Sequence, residues 1–223
     1  MKLSIVVPVF NEEKYISSCL DSLQNQKVKP DEIIIVDNNC TDKTIQIAKK
    51  HKTTIIKEKK QGMIYARNAG FNFAHGDILA RCDADTILPK NWIKKIKENF
   101  KDNKTDALAC MVMFYDHWLL KKSDFFTKLY FKLMKLLFKH ETLAGPGMAL
   151  TKKVWEKVKN EVCLDDKKVH EDIDLSIHIA KYGQIKFDPN LITYASARRI
   201  KNNPLSFFIE YPIRLIRTIN THR

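Results

Sequence analysis

Apolar strands that alternate with helical segments constrain the fold of this chain more than any other feature. Residues 3–10 are apolar and β-branched on both faces, which is typical of a buried central strand. Residues 32–37, 53–57 and 77–82 are further candidate strands, and stretches with apolar residues at helical spacing lie between them. This alternation predicts an α/β fold in which helices cover both faces of a mostly parallel sheet.

Residues that break or start regular structure set the expected boundaries. Pro8 is expected to end the first strand, because proline cannot donate a hydrogen bond to a central sheet ladder. Asn11 is expected to open the first helix, with acidic residues in its first turn. The next two helices are predicted at residues 44–50 and 64–74.

Polar side chains follow three of the strands at the point where each strand ends. They are Asn11 after the first strand, Asp37 after the second, and Asp83 and Asp85 after the fourth. Ligands bind beyond the carboxyl ends of parallel strands, so these groups are expected to share one site. Residues i and i+2 of an extended strand point the same way, so Asp83 and Asp85 can converge. Converging carboxylates favour a cation between them, Mg²⁺ or Mn²⁺, although an isolated Asp-x-Asp is also common in polar turns.

The composition narrows the class of partner. With 39 Lys and Arg against 26 Asp and Glu, the 223-residue chain carries a formal net charge of +13. Such a charge suits nucleotide phosphates, an anionic membrane surface or nucleic acid. Nucleic acid is the least favoured of the three, because the chain has no recognition-helix or stacking-aromatic motif.

The cysteines and the apolar stretches indicate a cellular location. Five widely spaced cysteines without a C-x-x-C pattern favour a reducing cytoplasm. The chain leads directly into a strand, so no signal peptide is expected, and no apolar stretch reaches the ~18–20 residues that span a bilayer. We therefore expect a cytoplasmic protein, with peripheral association at the inner face of the cell membrane as a further expectation.

Six short motifs occur in order along the chain. They are SIVVPVFNE (4–12), IVDN (35–38), ARNAG (66–70), DAD (83–85), GPGMA (145–149) and HEDIDL (170–175). In this order they resemble the motifs of family 2 glycosyltransferases, and the resemblance covers residues 1–200. It implies the GT-A fold with its Rossmann-like sheet, a nucleotide-sugar donor, a divalent cation (Mn²⁺ or Mg²⁺) and inversion of the anomeric centre. The Q-x-x-R-W motif of processive synthases is missing, which favours transfer of one sugar per encounter.

The resemblance assigns roles on the donor side. Asp37 is implied to contact the nucleotide base, with a helix-capping carboxylate as the alternative. Arg67 is implied to reach the nucleotide, with a structural ion pair as the alternative. Asp83 and Asp85 are implied to hold the cation, which neutralises the charge that develops on the leaving diphosphate. Further contacts to the nucleotide-sugar fall to Pro8, Val9, Phe10, Glu12, Ala84, Arg198 and Arg199.

The second half of the chain supplies the acceptor side. Residues 145–147 form a loop without side-chain bulk, which a substrate can approach closely. Asp172, at the start of a helical pattern, is assigned as the general base that removes the proton of the acceptor hydroxyl. Glu171 is assigned to orient the acceptor or the loop. In the alternative interpretation, Glu171 and Asp172 only cap this helix.

Two segments outside the motifs are amphipathic. In residues 121–140, five lysines share one stripe beside a broad face of phenylalanine and leucine. The tail, residues 201–223, repeats this pattern, and Pro212 is expected to break or kink it. Both segments are consistent with helices on a membrane surface. Residues 121–140 are equally consistent with a helix that packs on the core and turns its lysines to water.

These observations predict one GT-A domain over residues 1–200, with a nucleotide-sugar half (1–86), an acceptor half (87–200) and an amphipathic tail (201–223). The predicted activity is metal-dependent, inverting transfer of one sugar to a lipid-linked or cell-envelope glycan. UDP-sugars are the favoured donors and GDP-sugars come second. The alternatives are a basic nucleic-acid-binding protein, and an enzyme that synthesises sugar nucleotides. The second lacks support because no Gly-rich loop follows the first strand.

Overall fold

The structure, a computed structural model, describes residues 1–116, 124–203 and 209–222. The strands are β1 Leu3–Val9, β2 Glu32–Asp37, β3 Thr54–Lys57, β4 Ile78–Cys82, β5 Thr86–Ile87, β6 Ala107–Phe114, β7 Gly147–Thr151 and β8 Ile185–Ala195. The helices are α1 Ile16–Gln24, α2 Thr44–Ala48, α3 Met63–Phe73, α4 Trp92–Asn99, α5 Asp124–Phe138, α6 Lys152–Val158, α7 Glu171–Ala180, α8 Arg198–Asn202 and α9 Tyr211–Thr221.

The eight strands form one sheet in the order β3-β2-β1-β4-β7-β6-β8-β5. β1 is parallel to both of its neighbours, β2 and β4, and β2 is parallel to β3. β7 runs antiparallel to β4 and β6, and β5 runs antiparallel to β8, whereas β8 is parallel to β6. The predicted α/β class with a mostly parallel sheet is confirmed.

The direction of β7 brings the second half of the chain to the end of β4. Its register places Gly147, the first residue of β7, opposite Cys82, the last residue of β4. β7 therefore begins at the edge of the sheet where β4 ends. The loop at residues 145–146 lies at that same edge, next to the carboxylates that follow β4. A parallel β7 would begin at the opposite edge of the sheet.

Helices cover both faces of the sheet because its central strands are apolar on both sides. Every residue of β1 is buried. One apolar layer packs α1 and α4 on the sheet and includes Leu20 and Trp92. The other layer packs α3, α6 and α7, and in it the rings of Phe71 and Trp155 meet edge to face at 5.3 Å. The strand ends between these two layers remain open for a site.

Two boundaries near the first strand differ from the sequence-based expectation. Pro8 lies inside β1 and pairs with Val36 of β2. The pairing of β1 with β4 ends at Val6, so Pro8 lies where β1 has one remaining neighbour, a position that tolerates proline. α1 begins at Ile16 and not at Asn11. Asn11 has a positive φ of 55°, which a right-handed helix cannot include.

The C-terminal helix is docked on the protein. Pro212 lies in the first turn of α9. The expectation that it breaks or kinks the helix was therefore wrong, because it lies at the start of this helix. Proline is tolerated there because the first helical N–H groups lack partners in any case. Thr218 is fully buried, and its hydroxyl accepts a hydrogen bond from His170 N at 2.8 Å. Lys121 and residues 204–208 of the two amphipathic segments lie outside the described residues, and the domain boundary at residue 200 stays a prediction.

Two expectations from composition can be compared with the structure. All five cysteines carry free thiols, as their spacing predicts. Within the described ranges, no helix combines the length and the apolar character that crossing a bilayer requires.

Candidate active site

Asp83, Ala84 and Asp85 lie directly beyond the carboxyl end of β4. Every residue of β4 is buried, and Thr86 N donates a hydrogen bond to Asp83 O at 3.1 Å, which closes the turn. The side chains of Asp83 and Asp85 are 26% and 13% exposed, whereas Ala84 is buried. A buried strand thus delivers two partly shielded carboxylates to one edge of the sheet.

The surroundings of Asp85 disfavour its negative charge. Burial, together with the charges of Asp83 and Glu12, raises the pKa of Asp85 to about 6 against the opposing effect of Arg198. Arg198 Nε lies 2.7 Å from Asp85 Oδ2, and Arg198 Nη2 donates to Glu12 Oε1 at 2.5 Å. Glu12 Oε2 is buried and accepts no hydrogen bond from the described residues. Asp85 and Glu12 therefore share one guanidinium, that of Arg198.

This set of donor atoms fits a divalent cation that binds together with a substrate. Mg²⁺ and Mn²⁺ prefer oxygen ligands, and Mg²⁺ is commonly held by one or two carboxylates plus substrate phosphates. Asp83 and Asp85 supply such a pair. The raised pKa of Asp85 and the unpaired Glu12 Oε2 both favour additional positive charge at this point.

Arg81 joins the two halves of the site. It is 2% exposed within β4, where Nη2 donates to Asp83 Oδ1 at 2.8 Å and Nη1 donates to Glu171 Oε1. Fully buried Arg67 on α3 donates to the other oxygen of Glu171, Oε2, at 2.5 Å. Burial lowers the pKa of Arg81, but the charges of Glu171 and Asp83 outweigh burial and the net pKa is raised. The residues Arg67, Glu171, Arg81 and Asp83 form a chain of alternating charge from α3 to the end of β4.

Removing the charge of Arg81 is expected to destabilise the protein. Arg81→Met leaves Asp83 without its guanidinium partner and Glu171 with only one, so we expect the free energy of unfolding to fall by about 3 kcal/mol. Denaturant unfolding measures this change. Lys97→Met is the matched control, because Lys97 pairs with Asp31 at 3.0 Å near the surface, where such pairs contribute less than about 1 kcal/mol. Equal losses in both variants would contradict the bridging role.

Asp172 lies at the N-terminus of α7, next to Glu171. Its Oδ1 accepts hydrogen bonds from His170 Nδ1 at 2.5 Å and from Ile173 N at 2.9 Å. Its Oδ2 accepts a hydrogen bond from Gly145 N at 3.0 Å. An ionised carboxylate offers about four acceptor positions. Within the described part of the chain, Oδ2 therefore retains one acceptor position for a substrate group.

His170 keeps Asp172 ionised. Burial raises the pKa of Asp172, but the charge and hydrogen bond of His170 outweigh burial and lower this pKa to about 2. Burial lowers the pKa of His170, and Asp172 outweighs that effect, so the pKa of His170 is raised. The ring of Tyr211 meets the His170 ring edge to face at 4.9 Å. α9 thereby covers one side of the pair.

The glycines of the 145–147 loop pack against the protein. Both Gly145 and Gly147 are buried. A Cβ atom on Gly145 would lie 3.1 Å from Arg81 Nη2, and one on Gly147 would lie 2.4 Å from Thr193 Oγ1. The absence of side chains here makes room for the charged bridge and for β8. Burial of the two glycines therefore indicates a packing role, in place of the expected close approach of a substrate.

The residues predicted to surround the base lie at the ends of β1 and β2. Pro8 and Val9 are buried, whereas Phe10 is 49% exposed. Asp37 is half-buried, and its Oδ1 accepts a hydrogen bond from Cys40 N at 2.8 Å. Phe10 and Asp37 are thus placed at the edge of the sheet that carries Asp83 and Asp85. Their contacts with a nucleotide stay predictions.

Two arginines predicted to contact the donor have other partners. The guanidinium of Arg67 is fully buried and contacts Glu171 and Asn68, as the ion-pair alternative describes, and its contact with a nucleotide stays a prediction. Arg199 lies 5.6 Å from the centroid of the Tyr211 ring and donates to its hydroxyl. Arg199 therefore faces α9, and of the three predicted arginines Arg198 is the one that reaches Asp85.

Sequence analysis missed three residues of the site. Arg81 precedes Asp83 by two positions, so the spacing that aligns Asp83 with Asp85 also aligns Arg81. The charge of Arg81 within an otherwise apolar strand was the signal that could have identified this residue. His170 lies in the HEDIDL motif without an assigned role. Tyr211 carries no local signal, because its contact with His170 depends on how α9 docks.

Two open clefts lie at opposite edges of the sheet. One, of about 270 Å³, opens beside Arg198 and Tyr15. A larger one, of about 980 Å³, lies beside Ser4, Glu32 and Gly76 at the amino-terminal ends of the strands. None of the predicted site residues lines the larger cleft within the described ranges. The smaller cleft is therefore the one associated with the candidate site.

Comparison with known families matches residues 4–158 to Glycosyl transferase family 2, which is more than half of the chain. The chain belongs to this family. An uncharacterized glycosyltransferase of Methanocaldococcus jannaschii is 30% identical over an alignment of 235 positions, which covers 99% of this chain and 79% of that protein. This family 2 chain thus has a relative that matches nearly its whole length.

Other glycosyltransferases similar to this chain are considerably longer than it is. One is a Methanococcus voltae enzyme, "Dolichyl N-acetyl-alpha-D-glucosaminyl phosphate 3-beta-D-2,3-diacetamido-2,3-dideoxy-beta-D-glucuronosyltransferase". It is 34% identical over 113 residues, which cover 47% of this chain and 35% of that enzyme. The chain spans between 16% and 40% of the length of several other similar glycosyltransferases.

Solved structures of related fold include two glycosyltransferase complexes. The mannosyltransferase PcManGT from Pyrobaculum calidifontis, solved with GDP-Man and Mn²⁺, gives a TM-score of 0.79 at 19% identity and covers 99% of this chain and 64% of that chain. TarS from S. aureus, residues 1–349 with UDP-GlcNAc, gives a TM-score of 0.71 at 22% identity and covers 89% of this chain and 59% of that one. The expected GT-A fold is confirmed.

Proposed function

We propose that the chain is an inverting glycosyltransferase that moves one sugar from a nucleotide diphosphate sugar to an acceptor hydroxyl. The observation that carries the proposal is the Arg81 guanidinium, which bonds Asp83 on the donor side and Glu171 on the acceptor side. This bridge links the Asp83 and Asp85 pair to Glu171 and its neighbour Asp172 at one edge of the sheet. A cation site for the diphosphate and a base for the hydroxyl are both needed for this reaction.

Asp172 is the general base in this mechanism. The acceptor hydroxyl donates a hydrogen bond to Oδ2, which has an acceptor position beyond the one that Gly145 N uses. The hydroxyl oxygen attacks the anomeric carbon from the face opposite the diphosphate, and its proton passes to Asp172. The bond from the anomeric carbon to the diphosphate oxygen breaks, and a nucleoside diphosphate leaves. Glu171 is a positioning residue, because two buried guanidiniums hold it.

The donor diphosphate is placed beside Asp83 and Asp85. These carboxylates would hold a divalent cation, Mn²⁺ or Mg²⁺, which when bound would supply positive charge to the leaving diphosphate. Arg198 contacts Asp85 and Glu12 in the structure, and its guanidinium is suited to a phosphate oxygen when the donor binds. That PcManGT was solved with GDP-Man and Mn²⁺ supports this arrangement.

A donor screen tests this function. UDP-, GDP- and dTDP-sugars are offered with Mn²⁺ or Mg²⁺, and thermal shift and donor hydrolysis are measured. We expect at least one donor to raise the melting temperature only when metal is present, with UDP-sugars favoured because Asp37 can accept a hydrogen bond from uracil. The solved relatives with GDP-Man and UDP-GlcNAc make both classes necessary in the screen. If no nucleotide binds with metal, the proposed function is wrong.

We further propose that the acceptor is lipid-linked and is reached at an anionic membrane surface. α5 packs on the core through Phe131 and Met134, which are 3% and 8% exposed, and the ring of Phe131 stacks on Phe187 at 4.4 Å. The other apolar side of α5 is open to solvent, with exposures from 41% to 79%. It consists of Leu129, Leu133, Leu136 and Leu137. Core packing therefore accounts for only part of this helix.

Charge and a second helix extend this surface. The described lysines of α5 and its C-terminal end are exposed: Lys128, Lys132, Lys135 and Lys139. Ile213 and Ile216 of α9 are 42% and 57% exposed. The ring of Tyr211 on α9 lies against His170, the hydrogen-bond partner of the proposed base, so α9 borders the acceptor side. The dolichyl-linked substrate named for the Methanococcus voltae relative supports a lipid-linked acceptor.

Replacing two leucines on the solvent-exposed side of α5 with glutamate is expected to weaken membrane binding strongly. Leu133→Glu with Leu136→Glu removes about 1.5–3 kcal/mol of apolar transfer per leucine, so binding should fall more than tenfold. Flotation with vesicles that contain anionic lipid, at low salt, measures it. The matched control is Leu164→Glu, which changes a leucine that is 50% exposed outside α5 and α9. A wild-type chain that does not float, or a double variant that floats equally well, would disprove membrane binding.

A further inference from the structure

A second cluster of potential ligand atoms lies further along α7 than the proposed base. Asp174 and His178 are four residues apart on α7 and share one face of the helix, and His222 follows the end of α9. Their ligand atoms all lie within 4.8 Å of one another. The side chain of Asp174 is 1% exposed, and those of His178 and His222 are 8% and 15% exposed. The proposed transfer reaction uses none of the three.

The distances in this cluster fit a shared metal ion. Asp174 Oδ1 lies 2.8 Å from His222 Nε2 and 3.7 Å from His178 Nε2. The second distance is too long for a hydrogen bond. Two ligands of a tetrahedral zinc ion, each bonded at about 2.0–2.1 Å, are about 3.3 Å apart, which lies between the two observed distances. Small side-chain movements would therefore bring all three atoms to one ion.

Neighbouring groups hold the ligands in a suitable orientation. His178 Nδ1 lies 3.2 Å from Glu161 Oε2, which matches the carboxylate–histidine contact that commonly orients metal-bound imidazoles. Asp174 Oδ2 accepts a hydrogen bond from Cys163 N at 3.0 Å, which leaves Oδ1 facing the two imidazoles. Two imidazoles and one carboxylate suit zinc and similar transition metals, whereas Mg²⁺ prefers oxygen ligands alone.

We propose that Asp174, His178 and His222 form a zinc site that fastens α9 to α7. The ligand chemistry separates it from the Asp83 and Asp85 pair, which offers oxygen atoms only. Bound zinc would hold the end of α9, the helix whose Tyr211 covers His170. The site thereby stabilises the acceptor side without taking part in the reaction. It goes beyond the proposed transfer, and neither depends on the other.

Zinc titration of the full chain tests this site. The Asp85→Asn chain, stripped of metal, competes with a chromophoric chelator for Zn²⁺, so that zinc at the diphosphate site is not counted. We expect one equivalent of zinc to bind and to raise the melting temperature. In the same background, His222→Gln and His178→Gln should each weaken the affinity at least ~10–100-fold. Cobalt in place of zinc should give a visible absorption band that His222→Gln abolishes.

The control is a histidine outside the cluster. His75→Gln changes a ring that is 77% exposed beside Glu32 and should bind zinc as tightly as its parent chain. Far-UV circular dichroism establishes that both cluster variants are folded. Zinc binding of equal affinity in the parent chain, His178→Gln and His222→Gln would overturn the proposal. Complete loss of zinc from the parent chain to a weak chelator would overturn it as well.

Discussion

Replacing Asp172 with asparagine is expected to reduce the rate of sugar transfer by about 10²–10⁴-fold, because an amide cannot take the proton of the acceptor hydroxyl. The volume of the side chain is nearly unchanged, and the amide oxygen can keep the hydrogen bond that Ile173 N donates to Oδ1, whereas the one from Gly145 N to Oδ2 is lost. Donor affinity should therefore stay close to that of the wild type. Initial rates with saturating donor, together with donor titration by thermal shift, measure the two quantities separately.

A nearby carboxylate provides the control for Asp172. Asp165 is exposed before α7, and its Oδ1 accepts a hydrogen bond from Lys167 N at 2.9 Å. Asp165→Asn makes the same chemical change outside the site, so the transfer rate should not change. Transfer by Asp172→Asn at the wild-type rate would exclude Asp172 as the base and favour its interpretation as a helix cap.

Replacing Asp85 with asparagine is expected to weaken donor binding in the presence of metal by about 10²-fold. The substitution removes one of the two carboxylates suited to the cation. The interaction of the cation with the diphosphate contributes several kcal/mol to donor binding. Glu12 still holds Arg198, so α8, which begins with this arginine, should stay in place. Donor titration with and without Mn²⁺ measures the effect. The metal-dependent part of the affinity should disappear.

The comparison of the two variants tests the division of roles. Asp172→Asn should retain metal-dependent donor binding, and Asp85→Asn should lose it. Asp102→Asn, an exposed carboxylate outside the site, serves as the control for the loss of one charge. An equal loss of donor binding in Asp85→Asn and Asp172→Asn would show that the two residues do not serve separate substrates.

Patterns of short range were readable from the sequence. The strands and helices of the first half lie within a few residues of their predicted positions, because a repeat of about two or 3.6 residues reports which side of an element is buried. The same repeats placed Asp83 and Asp85 after β4 and Asp172 at the start of α7. The start of α1 was wrong because Asn11 adopts a left-handed conformation that the helical pattern does not reveal.

Contacts between distant parts of the chain were not readable in this way. The roles of Arg67 and Arg81 depend on Glu171, which lies 104 and 90 residues away along the chain. The direction of β7 decides that Gly145 reaches Asp172, and no local repeat reports strand direction. The docking of α9, which brings Tyr211 to His170, follows from burial of Thr218 against α7.

The sequence by itself determined the α/β class, the family and the positions of Asp83, Asp85 and Asp172 at the ends of their elements, because each follows from motifs and spacings of neighbouring residues; the roles of these carboxylates stay predictions. The tertiary structure alone decided that the two halves meet through Arg81 and that Arg67 lies beneath Glu171. It also brought His222 to Asp174. The physical reason is that a buried charge needs a partner of opposite charge, and folding can bring that partner close from any part of the chain.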